Sequence, residues 1–156
     1  MDTKLKVGDQ APAFSGQDQD GNTITSTSFP GKKIILYFYP KDNTSGCTAE
    51  ACSLRDGYPQ LVRQGFVVLG VSPDSSASHR KFIDKHSLPF TLLVDSDHGI
   101  AEAYGTWGEK KMYGRSYMGM LRTTFVIDQQ GRVEKIFTKV DTKDHFNQIL
   151  ESYKNS

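Results

Sequence analysis

Cys47 and Cys52 are the two residues of this sequence whose type and spacing suit covalent chemistry. The thiolate is the nucleophilic form of cysteine, and the N-terminus of a helix favours it, because unpaired backbone N–H groups and the helix dipole stabilise negative charge there. A helix is predicted to begin near Ser45 or Gly46, because apolar residues recur at helical spacing after Cys47. Those residues are Ala51, Leu54, Tyr58, Leu61 and Val62. The pattern favours a reactive thiol in the first turn over a small buried hydrophobe.

The spacing of the two cysteines predicts that they cannot form a disulfide while this helix is intact. Five residues advance an α-helix by about 7.5 Å and turn it by roughly 140°, which separates the Cα atoms by about 8 to 9 Å. A disulfide needs Cα atoms within about 7 Å, so that pairing of Cys47 with Cys52 requires the segment to unwind. Gly57 and Pro59 are poor residues for a helix interior. We expect them to break or kink the helix and to leave a short N-terminal piece that unwinds readily.

The residues before Cys47 predict the strand and the loop that position it. Residues 34–39 form a continuous apolar run, closed by Pro40, that is typical of a central strand buried on both faces. Residues 41–46 are polar and turn-forming. They carry Cys47 away from the carboxyl end of that strand, which is where open α/β sheets place their ligands.

The rest of the chain alternates between predicted strands and helices. Asp20-Gly21 predicts the turn of an N-terminal hairpin, and the glycine-punctuated residues 105–120 predict a loop. The further predicted elements are strands at 66–71, 90–94, 124–127 and 133–137, a helix capped by Asp74 or Ser75 that ends before Pro89, and a final helix carrying Phe146, Ile149, Leu150 and Tyr153. This order predicts one α/β domain over residues 1–156, with a thioredoxin-like fold: a mixed central sheet, helices on both faces and an N-terminal β-hairpin extension.

The composition argues against nucleic acid and membrane as partners. The net charge is +1, with basic and acidic residues interspersed, so there is no footprint for nucleic acid and no polybasic membrane patch. Residues 1–6 contain no apolar stretch of signal-peptide length, and no later run is long enough for a membrane span. Two cysteines suit a reducing compartment, so a soluble cytoplasmic protein is expected.

No bound cofactor and no metal are predicted. The sequence lacks a glycine-rich phosphate loop and a dinucleotide fingerprint. Four histidines, which have no metal-ligand spacing with one another or with the cysteines, are expected to be solvated surface residues. They are His79, His86, His98 and His145. Electrons for a redox reaction would then come from a protein thiol or a small thiol.

The segment around Cys47 resembles the active site of the peroxiredoxins. Residues 40–48, Pro-Lys-Asp-Asn-Thr-Ser-Gly-Cys-Thr, match the pattern Pro-x-x-x-Thr-x-x-Cys. Residues 50–56, and similarity over nearly the whole chain, resemble the bacterioferritin-comigratory, or PrxQ, subfamily. Ser45 departs from that subfamily, which usually has proline there. Because the serine hydroxyl can cap the helix, we expect altered loop stiffness rather than lost activity.

The resemblance implies a thiol-dependent peroxidase. Cys47 would attack hydrogen peroxide or an organic hydroperoxide and become a sulfenic acid, and Cys52 would resolve it to an intramolecular disulfide. Thioredoxin, or a similar dithiol protein, would then reduce the disulfide. The resemblance also favours a monomer.

The resemblance and the chemistry of the reaction together assign roles to four further residues. Arg122 would supply a fixed cation for the negative charge that develops on the leaving oxygen. Thr44 would offer its hydroxyl to the peroxide and the thiolate, and Pro40 would shield the thiol and shape the turn. Glu50 would hold the guanidinium of Arg122. The alternatives are a surface ion pair for Arg122, a helix cap for Thr44 and a first-turn acid that favours the helix dipole for Glu50.

Two other functions compete with this interpretation. A thiol-disulfide oxidoreductase typically carries C-x-x-C, and thioredoxins carry proline just before the strand that begins here at Arg122; both features are missing. A redox sensor would react with peroxide and use the unwinding helix to change partners, without turnover. The basic and aromatic residues 107–118 favour packing over the sheet, or an apolar collar near Cys47, over nucleic-acid binding.

Overall fold

The structure, a computed structural model, describes residues 5–154. Its elements in chain order are β1 Ser15–Gln17, β2 Thr23–Thr25, β3 Lys33–Phe38, α1 Ser45–Arg63, β4 Phe66–Ser72, α2 Ser76–His86, β5 Thr91–Val94, α3 Gly99–Ala103, β6 Trp107–Met112, β7 Arg115–Met120, β8 Thr123–Ile127, β9 Val133–Phe137 and α4 His145–Lys154. A seven-stranded sheet has the order β2-β1-β5-β4-β3-β8-β9, and β6 and β7 form a separate two-stranded sheet. Strands β3, β4 and β5 are parallel, whereas β8 is antiparallel to β3. The predicted mixed sheet and N-terminal hairpin are therefore present, and the hairpin joins the sheet because β1 pairs with β5.

The central strand β3 divides the core into two halves because its side chains alternate between the faces of the sheet. Ile35 and Tyr37 pack on the face covered by α1, α2 and α4, in the cluster that also contains Cys47. Leu36 and Phe38 pack on the opposite face, together with residues of α3. Strand β3 is thus buried on both faces, as its continuous apolar run predicts.

Helix α1 runs without interruption through Gly57 and Pro59, so the predicted break is wrong. Gly57 has a packing role, because a Cβ atom there would lie 2.1 Å from Cδ1 of Phe146 in α4. Glycine at this position lets α1 and α4 approach closely. Packing of the helix against the core outweighs the low helix propensity of both residues. Cys47 and Cys52 therefore lie on one long helix rather than on a short separate piece.

Residues 105–120 contain a β-hairpin where a loop was predicted, so that prediction is wrong. Its two-residue turn has Tyr113 at φ 53° and Gly114 at φ 76°, both left-handed, which is the conformation of a hairpin turn. Tyrosine is uncommon in the left-handed conformation, so the sequence lacks the usual signal of a hairpin turn at this position. The expected packing over the sheet holds for Trp107, which packs against the core, and is wrong for Tyr113, Tyr117 and Met118, which are exposed.

Candidate active site

Cys47 lies in the first turn of α1, as predicted, with only 1% of its surface exposed. Thr44 is the N-cap residue and Ser45 is the first helical residue. Ser45 thus stands inside the helix rather than at its cap, and Thr44 makes no side-chain cap hydrogen bond. Both cysteines are free thiols, so the structure is that of the reduced protein.

Arg122 joins the thiol of Cys47 to the carboxylate of Glu50. Its Nη2 donates to Cys47 Sγ at 3.3 Å, and its Nη1 donates to Glu50 Oε1 at 2.6 Å. Burial lowers the pKa of Arg122, but the negative charges of Glu50 and Cys47 outweigh that effect and raise it above its ordinary value. The guanidinium therefore keeps its positive charge beside the sulfur.

The topology of the sheet brings Arg122 to Cys47. Strands β3 and β8 are antiparallel, with Phe38 opposite Thr123. The residue that precedes β8 therefore lies beside the residues that follow β3. Because the loop after β3 leads directly into α1, the guanidinium meets the first turn of that helix.

Thr44 and Pro40, two other predicted site residues, lie in the segment between β3 and α1 that precedes Cys47. The Thr44 hydroxyl donates to Lys41 O at 3.0 Å, so that its proton is engaged by a carbonyl and only its lone pairs are free for a ligand. Pro40 lines a cavity of about 300 Å³. The other residues of that cavity are Lys110, Leu121, Arg122, Thr123 and Thr138. A larger cavity, of about 410 Å³, is lined by none of the predicted site residues.

The loop before Cys47 is anchored by Asp42, which the sequence analysis did not single out. Its buried carboxylate accepts from Tyr39 Oη at 2.6 Å, from Ser78 Oγ at 2.8 Å and lies 2.7 Å from His79 Nδ1. The backbone N–H of Asp42 donates to Asp74 Oδ2 at 2.7 Å. These contacts tie the loop to α2 and to the ends of β3 and β4. The position of Asp42 between Pro40 and Thr44 is the only signal in the sequence that could have indicated it.

A second buried group, His145, lies behind Glu50. Its Nε2 is 2.8 Å from Thr124 Oγ1 and 3.7 Å from Glu50 Oε2, which has no hydrogen-bond partner in the described part of the chain. Burial raises the pKa of Glu50 to about 7 against the opposing charge of Arg122. Burial also lowers the pKa of His145 to about 4. The carboxyl of Glu50 and the imidazole of His145 are therefore both harder to ionise than in water, because burial removes the solvent that would stabilise their charged forms.

The expectation that all four histidines are solvated surface residues is wrong for His79 and His145, whereas His86 and His98 are partly exposed. His79 and His145 are completely buried. His98 stacks on Trp107, with ring centroids 3.5 Å apart, and His86 packs edge-on against Phe82. Hydropathy and spacing could not show this, because a histidine is accepted in a core wherever polar partners meet both ring nitrogens.

Cys52 lies on α1 beside the contact with α4. It is partly buried, and the next residue, Ser53, accepts a hydrogen bond from the Phe146 backbone N–H at 3.1 Å. Any unwinding of α1 that brings Cys52 to Cys47 must therefore disturb the packing of α4. The contact with α4 therefore stabilises the helical form of this part of α1, in addition to the hydrogen bonds of its own backbone.

Neither a metal cluster nor a membrane helix is found over residues 5–154. No group of three or more His, Cys, Asp or Glu side chains in that range could hold a metal ion. No helix in the same range is long and apolar enough to cross a bilayer.

A buried thiol at a helix N-terminus, bonded to an arginine on an adjoining strand of a mixed sheet, defines the class of thiol-dependent redox proteins. The sequence model of the AhpC/TSA family matches residues 7–136. The chain belongs to that family, the peroxiredoxins, and within it to the bacterioferritin-comigratory, or PrxQ, subfamily.

Individual relatives agree with this assignment. The chain is 46% identical over 151 residues to peroxiredoxin Bcp of Bacillus subtilis, covering 97% of this chain and 96% of that protein. It is 44% identical over 146 residues to peroxiredoxin Bcp of Escherichia coli, covering 94% of each. A solved structure of the Xanthomonas campestris bacterioferritin comigratory protein, described for its alkyl peroxide reduction activity, superposes with a TM-score of 0.86 at 31% identity and covers 99% of this chain and 98% of its own. The predicted thioredoxin-like fold is confirmed.

Proposed function

We propose that this peroxiredoxin reduces hydrogen peroxide and organic hydroperoxides through a sulfenic acid on Cys47 and a Cys47–Cys52 disulfide that thioredoxin reduces. The observation that carries the proposal is the 3.3 Å hydrogen bond from Arg122 to Cys47 Sγ at the start of α1. Two sources of positive potential, the helix N-terminus and the guanidinium, meet at one sulfur. The alkyl peroxide reduction described for the Xanthomonas campestris relative supports organic hydroperoxides as substrates.

In the first step the thiolate attacks the terminal oxygen of the hydroperoxide. The S–O bond forms, the O–O bond breaks, and its electron pair leaves on the second oxygen. Arg122 stabilises the charge that develops there, while Glu50 holds the guanidinium from behind. Thr44, whose proton is engaged by Lys41, accepts the hydrogen bond of the peroxide O–H rather than donating one. Pro40 shields this step from water at the edge of the cavity.

In the second step the thiol of Cys52 attacks the sulfenic acid and releases water. The ideal helix between the two residues keeps their Cα atoms about 8 to 9 Å apart, too far for a disulfide. The first turns of α1 must therefore unwind before the bond forms. A dithiol protein then reduces the disulfide, and the helix forms again.

The proposal includes a monomer that works in the cytoplasm. Two cysteines are too few for a stabilising disulfide framework and suit a reducing compartment, and the proposed disulfide serves catalysis rather than stability. The catalytic groups all come from one chain, so no second copy is needed to complete the site.

Stopped-flow fluorescence of Trp107 tests the proposal. The reduced protein is mixed with hydrogen peroxide or cumene hydroperoxide, and thioredoxin with its reductase is added in a second experiment. A peroxidase gives rapid oxidation and sustained turnover. A thiol-disulfide oxidoreductase would react slowly with peroxide, and a redox sensor would be oxidised without turnover; either result contradicts the proposal.

Two cysteine variants separate the steps. Cys47→Ser should be inert towards peroxide, because it lacks the nucleophile. Cys52→Ser should be oxidised once, hold a sulfenic acid that mass spectrometry detects, and then stall with thioredoxin. Sustained thioredoxin-dependent turnover by Cys52→Ser would show that Cys52 is not the resolving residue.

A further inference from the structure

Lys110, on β6, faces the same cavity as Arg122. Its Nζ donates to Met120 O at 2.8 Å across the hairpin. Its stem crosses Gly119 on β7, where an added Cβ atom would lie 2.9 Å from Lys110 Cδ. The hydrogen bond to Met120 O thus fixes the ammonium group, and the absence of a side chain at Gly119 leaves room for the lysine stem. Two of the three N–H groups of the ammonium can donate to a ligand.

The cavity between Lys110 and Arg122 has no acidic residue in its lining. Two cations therefore face the same space, and the one carboxylate that pairs with them, that of Glu50 on Arg122, does not line the cavity. Its other lining groups are Pro40, Leu121, Thr123 and Thr138. Negative charge that develops in this cavity meets positive charge on both sides.

The geometry of the attack sends the leaving oxygen into this cavity. Displacement at oxygen is in line, so the bond that breaks points away from the attacking sulfur. Cys47 Sγ does not itself line the cavity but lies 3.3 Å from Nη2 of Arg122, which does. A hydroperoxide that reaches the sulfur through the cavity therefore places its attacked oxygen towards Sγ and its leaving oxygen towards the cavity and Lys110.

We propose that Lys110 is a further catalytic residue, whose ammonium group donates the proton that the leaving oxygen takes up as the O–O bond breaks. The sulfur is oxidised to the sulfenic acid, the peroxide is reduced to water or an alcohol, and the neutral amine regains its proton from solvent. The guanidinium of Arg122 stabilises charge but does not release a proton at neutral pH. This assignment rests on the peroxidase function proposed above.

The electrostatics of Lys110 agree with this role. Burial lowers the pKa of its ammonium group, and the positive charge of Arg122 lowers it further, against the opposing charge of Cys47. An acid is more effective when its pKa lies nearer the working pH, and a positioned acid accelerates a reaction by about 10²- to 10⁴-fold.

The test varies the leaving group. Hydrogen peroxide and tert-butyl hydroperoxide release hydroxide and an alkoxide, which need a proton, whereas peracetic acid releases acetate, which does not. In Lys110→Met the second-order rate constant for oxidation of Cys47 should fall about 100-fold with the first two oxidants, and less than threefold with peracetic acid. Lys110→Arg, which keeps the charge but not the acid, should behave as Lys110→Met does.

Lys111→Met is the matched control. Lys111 is the next residue of the same strand and is exposed, so its loss should leave all three rate constants unchanged. An equal loss with all three oxidants in Lys110→Met would overturn the proposal, because charge or packing would then explain it. A Lys110→Met variant that reacts like the wild type would overturn it as well, while rapid wild-type oxidation would leave the peroxidase function standing.

Discussion

Arg122 bonds to the sulfur of Cys47 and to one oxygen of Glu50, but the other oxygen of that carboxylate is buried and has no hydrogen-bond partner among residues 5–154. The nearby ring of His145, at 3.7 Å, is equally buried. Removing a charge from water without full compensation is costly. These two groups therefore make the stability of the reduced protein depend on pH, and in opposite directions.

The sign follows from the two pKa shifts. The pKa of Glu50 is raised to about 7, so the folded state holds this proton more tightly than the unfolded state does. Its contribution to the free energy of unfolding falls as the pH rises from about 4.5 to about 7. The pKa of His145 is lowered to about 4, so its contribution is lost as the pH falls from about 6.5 to about 4. The two effects offset each other between about pH 4.5 and 6.5.

Glutamine at either position should remove one effect and reveal the other. Relative to the wild type, the free energy of unfolding of Glu50→Gln should rise by roughly 2 to 3 kcal/mol from pH 4.5 to 6.5, since one pKa unit corresponds to about 1.4 kcal/mol. His145→Gln should show the opposite slope, of similar size. Urea unfolding of the three proteins across this range measures the difference. Parallel pH profiles in all three would refute the assignment.

The sequence predicts the reactive cysteine and the arginine bonded to it better than the buried residues that hold the surrounding loop and carboxylate in place. Cys47 and Arg122 follow from the helix pattern and the motif, and each lies at the end of a predicted element. Asp42 and His145 could not be predicted, because their burial depends on partners far along the chain. His79, which lies 37 positions from Asp42, is an example of such a partner.

Helices α1 and α4 meet at a point where the sequence suggests a helix break. The ring of Phe146 occupies the space over Gly57, with three ring atoms within 2.4 Å of the position that a Cβ atom would take. Propensity alone misleads here, because a glycine inside a helix has a poor local preference but can still be required by a neighbour. The packing of α1 on α4 became visible only in three dimensions.

Gly57→Ala should destabilise the protein by about 1 to 3 kcal/mol, because overpacking forces the ring or the backbone to move. Chemical denaturation measures the change. Gln60→Ala, at an exposed position of the same helix, should have an effect below about 0.5 kcal/mol. If both variants have the same stability, Phe146 does not pack on Gly57 in solution.

Ser53→Ala should accelerate disulfide formation. The substitution removes the 3.1 Å hydrogen bond from Phe146 N, which exists only while this part of α1 is helical. A hydrogen bond contributes about 1 kcal/mol, so unwinding should become about fivefold more favourable. Quenched-flow alkylation after a pulse of peroxide measures the rate.

The control for this rate is Ser96→Ala, at an exposed position outside α1. It should form the disulfide at the wild-type rate. A Ser53→Ala variant that is no faster than this control would mean that unwinding near Cys52 does not limit the second step.

At the scale of the whole molecule, the alternation of strands and helices was sufficient to predict the mixed sheet. It was not sufficient for the hairpin of β6 and β7, which has no partner strand in the seven-stranded sheet. The glycines of 105–120 suggested a loop, whereas Gly119 makes room for the stem of Lys110. Periodicity is informative where a strand has one buried face, and this hairpin is exposed along much of β7.

Asp42 links separate regions of the molecule, because its carboxylate binds Tyr39 after β3 and both Ser78 and His79 in α2. Asp42→Asn should lower the free energy of unfolding by about 1 to 3 kcal/mol, because it disturbs the buried contacts that this carboxylate makes with Tyr39, Ser78 and His79. It should also slow the oxidation of Cys47, because the loop that carries Thr44 loses its anchor. Denaturation and stopped-flow oxidation measure the two effects.

Asp84→Asn provides the comparison. Asp84 forms an exposed ion pair with Arg80, and exposed pairs contribute at most about 1 kcal/mol. Its oxidation rate should equal that of the wild type. Equal losses of stability in the two variants would contradict the anchoring role of Asp42.

The thiol and its guanidinium lie 75 positions apart in the chain. During synthesis on the ribosome, the sulfur emerges long before the cation that accompanies it in the finished protein. A nascent chain, or a fragment that ends before Arg122, holds both cysteines without that cation. Sensitivity to oxidant should therefore arise late, as a property of the completed polypeptide, and vulnerable half-made chains are spared premature oxidation at this position.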